Sequence, residues 1–214
     1  MPFFKKTKKV KKELPKIDVI QTDITELQLK PFPHQNVQNF LKPDFFEDIN
    51  KYLYQILSRG ILSADAPRDP TKFTFFPGLK NTSYFQLTPE CGYPMNQFMT
   101  KTWIEYFSIL YDMPLTNTLA MSFHHHSHNS GGRHAHTDYH LIGFPKSVQR
   151  DDPNELVVYN DPTPYYSLVV NDREKASHLG LDVQMRECAA LIYLNPPYKA
   201  FTGGETGLFE NYQH

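Results

Sequence analysis

The stretch that decides the fold is Met121–His140, MSFHHHSHNSGGRHAHTDYH, which holds seven of the ten histidines in the chain. It contains His136-Thr137-Asp138. In an extended strand, residues i and i+2 point to the same face, so an imidazole and a carboxylate at this spacing can bind one metal ion together. They would supply two of the three ligands of a 2-His-1-carboxylate triad. The tripeptide alone is common by chance, so the residues around it must support this interpretation.

Polar and apolar residues alternate on the N-terminal side of this tripeptide. The apolar set is Leu119, Met121 and Phe123, and the small or polar set is Ala120, Ser122, His124 and His126. This period of two predicts a strand whose polar face is suited to line a cavity. Gly131-Gly132 predicts a turn, after which a second strand carries His136 and Asp138 on to Phe144.

The charges of the chain are unevenly distributed. The formal net charge is −1, yet residues 1–16 carry seven lysines and a single glutamate, so the remainder is acidic. A lysine run of this density repels itself and buries little. We expect residues 1–16 to form a disordered tail that can contact an acidic partner, and residues 17–214 to form one domain.

The expected cellular location of the protein and the state of its cysteines depend on features that the sequence lacks. No apolar run reaches the about 18 residues of a membrane span, and no apolar region of a signal peptide follows the basic start. Cys91 and Cys188 are too few for a disulfide framework. We therefore expect no transmembrane segment and a cytoplasmic, reducing location, and no clear nucleic-acid motif is present.

Regular elements are predicted along the rest of the chain. Apolar spacing predicts helices from Pro43 to about Leu57 and from Pro94 to about Tyr111. Short strands are predicted at 73–76, 82–87, 157–159 and 165–170, the last two within a polar insertion at about 145–184. The apolar run Cys188–Asn195 predicts a buried central strand.

Four motifs in order resemble one protein family. They are Pro31-Phe32-Pro33-His34 with Phe40-Leu41 and the following helix, His136-Thr137-Asp138, Leu191-Ile192-Tyr193-Leu194-Asn195, and Gly203-Gly204-Glu205-Thr206. Together they resemble the prolyl-4-hydroxylase-like branch of the 2-oxoglutarate- and Fe(II)-dependent oxygenases, over roughly residues 31–210. The resemblance implies a mainly β fold with flanking helices, in which a double-stranded β-helix (a cupin-like jelly roll) binds the metal at its open mouth.

The resemblance also implies cofactors and residue roles. His136 and Asp138 would be proximal Fe(II) ligands, with 2-oxoglutarate and O2 as cosubstrates and ascorbate as a supporting reductant. The substrate would be a small molecule or a peptidyl residue. Because halogenating relatives have a small residue in place of the carboxylate, Asp138 favours hydroxylation. Glu205 and Thr206 would be structural.

The pattern departs from the family near its end. The family has a distal histidine several tens of residues beyond the Gly-Gly-Glu-Thr motif, followed by a basic residue that pairs with 2-oxoglutarate. Here the sequence given stops at His214, a candidate third ligand, while His178 precedes the predicted central strand. Three explanations stay open: a truncated oxygenase that is incomplete at its C-terminus and prone to oligomerise, a non-catalytic jelly-roll binding protein, or a barrel completed by a partner chain.

The remaining histidines allow alternatives. His124, His126 and His128 share one strand face, where they would contact 2-oxoglutarate, substrate or the surroundings of the metal, or else form a solvated strand end. His125 would point the other way. A zinc site built from this cluster is a further alternative, although no cysteine lies nearby.

Overall fold

A computed structural model describes residues 13–22, 24, 28, 34–67, 69–127, 129–130, 141–145, 156–159, 181–185 and 189–194. In chain order these residues form eleven named elements. They are helix α1 (Pro43–Leu57), strands β1 (Ile61–Leu62), β2 (Phe73–Phe75) and β3 (Thr82–Gln86), a 3₁₀ turn (Met95–Phe98), helix α2 (Lys101–Tyr111), and strands β4 (Thr118–Ala120), β5 (Ser122–His126), β6 (Leu141–Pro145), β7 (Val157–Tyr159) and β8 (Leu181–Met185).

Helix α1 begins and ends at the residues that the sequence predicts. Pro43 occupies the first turn, where a missing N–H costs nothing, and Asp44 places a negative charge near the positive end of the helix. Phe45, Ile49 and Ile56 are buried on one side. These spacings of four and seven residues place the three side chains on one apolar face, by which the helix packs onto the sheet.

The central sheet is mixed and has the strand order β1-β2-β3-β5. Strand β1 runs parallel to β2, whereas the β2–β3 and β3–β5 pairs are antiparallel. Phe85 lies opposite Phe123, and Tyr84 lies opposite His124. Neighbouring residues of a strand point to opposite faces, so these two pairs mark the two faces of the sheet.

Helix α1 packs on the face that carries Phe73 and Phe85, and α2 belongs to the same core. Both phenylalanines are almost fully buried, and the Phe85 ring lies 6.4 Å from that of Tyr52 on α1. Ile49 of α1 and Tyr106 of α2 are fully buried in the same core. The core therefore lies between the two helices and one face of the mixed sheet.

The second predicted helix is interrupted. Met95–Phe98 forms a 3₁₀ turn, and α2 starts only at Lys101 because Thr100 has extended backbone angles (φ −128°, ψ 150°). The indole N–H of Trp103 donates a hydrogen bond to the Gln97 carbonyl across the break (2.9 Å). The continuous helix from Pro94 was thus wrong in its first turns, while its apolar stripe packs in the core as predicted.

Two small sheets accompany the central one. Strand β4 pairs in parallel with β7, and β6 pairs antiparallel with β8. The strand predicted from the alternation of Leu119 to His126 is divided at Met121, since β4 and β5 belong to different sheets. Strands β7 and β8 come from the region predicted as a polar insertion.

The prediction of a buried strand at 188–195 was wrong for the residues that the structure describes there. Residues 189–194 form no strand, and Leu191 and Tyr193 are 63% and 55% exposed. Ile192 and Leu194 instead pack against the core. The segment therefore lies on the core by one side only, and its apolar run does not mark burial on both sides.

The described residues thus form a mixed four-stranded sheet with two helices, which is the coarser part of the predicted fold. Residues 1–12 of the predicted tail lie outside the described part, and Leu14 packs against the core. Among the described helices, none combines the length and the apolar character that crossing a membrane requires.

Candidate functional site

The predicted site residues fall into two groups. His136, Asp138 and His214 lie outside the described residues, as does His128. His124 and His126 lie on β5, and both side chains are exposed. The described part of the candidate site is therefore the face of β5 that these two imidazoles share.

This face lies on the side of the sheet opposite the helices. His124 is paired with Tyr84 and His126 with Thr82 on the adjacent strand β3. Phe123 and His125, which alternate with them, are half-buried, and Phe123 packs against the core. The predicted alternation along β5 is confirmed by this burial pattern.

Aromatic rings surround His124. The Phe76 ring lies 4.6 Å from the Tyr84 ring and 5.1 Å, edge to face, from the His124 ring. The hydroxyl of Ser122 is 3.1 Å from Nε2 of His124. These contacts restrict the orientation of the imidazole, and the ring of His126 follows at 6.5 Å.

Sequence reasoning did not identify Phe76 and Tyr84 as part of this face. Tyr84 was placed in a predicted strand, but its position opposite His124 depends on the register between β3 and β5. Register is fixed by long-range pairing, which a single sequence does not reveal. The available signal was the alternation of β3, which puts Tyr84 on the face opposite the buried Phe85.

The His125 side chain contacts residues of the neighbouring strands β2 and β3. Its Nδ1 lies 3.4 Å from the Ser83 hydroxyl, and its ring meets the Phe73 ring edge to face at 6.1 Å. Partial burial lowers the pKa of His125 from its ordinary 6.5, and the charge of His126 lowers it further. His125 therefore favours the neutral form and supports the core.

Within the described ranges, no group of three or more His, Cys, Asp or Glu side chains is placed to hold a metal ion. Two exposed imidazoles fall short of the three protein ligands of a non-haem iron site. The face of β5 thus provides a wall of imidazole, hydroxyl and aromatic groups beside which ligands from other segments can be placed.

A second pair of titratable groups lies in the core. Burial, followed by the neighbouring Cys91 side chain, raises the pKa of Tyr52 to about 12. Cys91 is a buried free thiol within 3.8 Å of the Thr88 hydroxyl. Buried thiols in apolar surroundings are inert, so this pair stabilises the core and offers no nucleophile.

Comparison with known proteins adds no relative. No family model, no curated protein and no solved structure matches the chain.

Proposed function

We propose that the chain is an Fe(II)- and 2-oxoglutarate-dependent dioxygenase built on a double-stranded β-helix. It would hydroxylate a C–H bond of a small molecule or a peptidyl residue, with release of succinate and CO2. The observation that carries the proposal is the position of the His136-Thr137-Asp138 motif between two strands, β5 and β6. The resemblance implies that His136 and Asp138 are carried by a strand that continues to Phe144, and β6 begins at Leu141.

The two unlike faces of the central sheet support this fold. Helix α1 packs on one face, and the other face carries the exposed His124 and His126. In a jelly roll with helices outside, the face turned away from the helices lines the interior of the barrel. Polar and aromatic groups on that face suit a ligand cavity.

The available donor set fits Fe(II). His136 and Asp138 supply an imidazole and a carboxylate, and His214 is the candidate second imidazole. Non-haem Fe(II) takes this combination and keeps positions open for further ligands. When bound, the iron with 2-oxoglutarate and O2 supplies the oxidising power that breaks the substrate C–H bond.

The chain's own residues would bind 2-oxoglutarate and the substrate and would orient them. His124 and His126 would contact 2-oxoglutarate or the substrate from the wall formed by β5. Phe76 and Tyr84 restrict the His124 ring and present aromatic surface beside it. The loops within 60–94 and 145–184 would determine the choice of substrate, because specificity in a shared fold resides in variable loops.

A single substitution tests the proposal. We expect Asp138→Ala to abolish the formation of succinate from 2-oxoglutarate, because the iron loses its carboxylate ligand, while the far-UV circular dichroism stays that of the parent. Asp18→Ala is the matched control, since Asp18 is exposed and forms only a surface ion pair with Lys16.

Two results would contradict the proposal. One is succinate formation in Asp138→Ala at the rate of the parent chain. The other is a parent chain that makes no succinate with Fe(II), 2-oxoglutarate and O2 present, which is what a non-catalytic jelly-roll binding protein would give.

A further inference from the structure

The imidazoles of His124 and His126 share one face of β5. Both side chains are exposed, and their ring centroids lie 6.5 Å apart. Strand β5 pairs with β3 over all five of its residues, from Ser122 to His126. The pairing keeps the backbone extended, so the side chains of residues i and i+2 project from the same side of the sheet. The strand therefore sets the distance between the two imidazoles, and only rotation of the side chains changes it.

This separation is close to the one that a shared metal ion requires. Zinc lies about 2 Å from each imidazole nitrogen, which places the centroids of two ligating rings roughly 5 to 6 Å apart. The χ2 torsion of histidine has a broad minimum, so a small rotation of the two exposed rings closes the remaining gap at little cost. Two imidazoles in this arrangement can bind one ion as a bidentate pair.

The neighbours of the pair favour metal binding. The hydroxyl of Ser122 lies 3.1 Å from Nε2 of His124, and the Phe76 ring meets the same imidazole edge to face at 5.1 Å. In metal sites, a hydrogen bond at one ring nitrogen fixes the tautomer and directs the other nitrogen to the ion. The residues opposite the pair on β3 are Tyr84 and Thr82, and neither carries a cationic group. An approaching cation therefore meets a restrained imidazole and no positive charge from these two partners.

We propose that His124 and His126 together bind one divalent transition-metal ion, with Cu(II) preferred. Imidazole suits copper, nickel and zinc, and affinity rises along the first row to a maximum at Cu(II). Within the described part of the chain, no third His, Cys, Asp or Glu is placed to join the pair. Copper(II) accepts tetragonal coordination by nitrogen and oxygen, so water can complete its coordination.

This site and the proposed iron site use different ligands, since the iron site is assigned to His136 and Asp138. The proposal therefore does not depend on the proposed function. An ion held by His124 and His126 would take the imidazoles that the proposed function assigns to 2-oxoglutarate or the substrate. The two uses of this face of β5 would exclude one another.

Copper titration of variants tests the site. The chain has ten histidines, so differences between variants decide the result rather than binding by the parent alone. Calorimetric titration of the full chain with Cu(II) should give one equivalent fewer in the double variant His124→Gln/His126→Gln than in the parent. Each single variant should weaken that equivalent by at least about tenfold, because the second ligand of the chelate is lost.

His125→Asn is the matched control for these variants. His125 lies on the same strand, but it is half-buried and its Nδ1 is 3.4 Å from the Ser83 hydroxyl. His125→Asn should keep the copper stoichiometry of the parent. In a His136→Ala background the double substitution should still remove one equivalent, which separates this site from the proposed iron site. Unchanged stoichiometry in the double variant, or an equal loss in His125→Asn, overturns the site, as does an effect of only one of the two single substitutions.

Chemical modification of the parent chain gives a second test that needs no variant and no turnover. Diethyl pyrocarbonate acylates accessible imidazoles, and mass spectrometry of the fragments locates each modified residue. Cu(II) should suppress the modification of His124 and His126 severalfold, whereas Mg(II), which prefers oxygen ligands, should not. Equal modification of both residues with and without Cu(II) overturns the site, whatever the chain does with 2-oxoglutarate.

Discussion

The hydroxyl of Tyr106 accepts a hydrogen bond from the backbone N–H of Ile24 at 3.1 Å, across 82 residues of sequence. Tyr106 is fully buried on α2, where its ring meets those of Trp103 and Phe107 edge to face. Ile24 packs against the same core from the segment that precedes α1. This bond therefore attaches the N-terminal segment to the second helix.

Removing that hydroxyl should destabilise the fold. Tyr106→Phe leaves the partly buried Ile24 N–H without this acceptor, which costs about 1 to 3 kcal/mol of the free energy of unfolding. Urea unfolding followed by circular dichroism measures the change. Tyr54→Phe is the control, because Tyr54 is 62% exposed and should change the stability by less than about 0.5 kcal/mol. Equal stability of Tyr106→Phe and the parent would show that the bond contributes nothing.

The environment of His125 predicts a dependence of stability on pH. Its pKa in the folded state lies below 6.5, chiefly because the ring is partly buried. The unfolded chain therefore binds a proton on this residue more readily than the folded chain does. The stabilising contribution is fully present above about pH 6.5 and is lost as the pH falls through the folded-state pKa.

A comparison of two proteins isolates this effect from the other histidines. His125→Asn retains a side chain that can hydrogen-bond to Ser83 but does not titrate. We expect the free energy of unfolding to fall less between pH 7 and pH 5 in His125→Asn than in the parent. Parallel pH profiles for the two proteins would show that protonation of His125 is not linked to folding.

Elements with strong local signals were predicted well. Helix α1 has a proline at its first turn and a single apolar face, so both of its ends follow from neighbouring residues. The strands at 73–76 and 82–87 were predicted to within one residue of β2 and β3. The break before α2 was missed because Phe98 and Trp103 reach the core from either side of it, which preserves the apolar spacing.

Pairing partners could not be predicted from the sequence. Strands β4 and β5 adjoin in sequence yet join different sheets, and this depends on which distant strand lies beside each. Segment 189–194 reads as a buried strand because its residues are nearly all apolar. Only packing shows that Ile192 and Leu194 face the core while Leu191 and Tyr193 face outward.

The two central residues of the candidate site were predicted from their spacing in the sequence. His136 and Asp138 follow from the period of a strand, and they remain a prediction because they lie outside the described residues. The exposed pair His124 and His126 was predicted from the same period and is confirmed on one face of β5. Their aromatic neighbours came from register and from the connection after β2, neither of which local spacing encodes.

The most direct test is an anaerobic titration of the purified chain with Fe(II) and 2-oxoglutarate. If the site forms in this chain, a visible charge-transfer band of the metal-bound 2-oxo acid grows to one equivalent, and His136→Ala abolishes it. That result would make His214 or another histidine the third ligand. A parent chain that shows no band, or a band of equal intensity in His136→Ala, would contradict an iron site at His136 and Asp138.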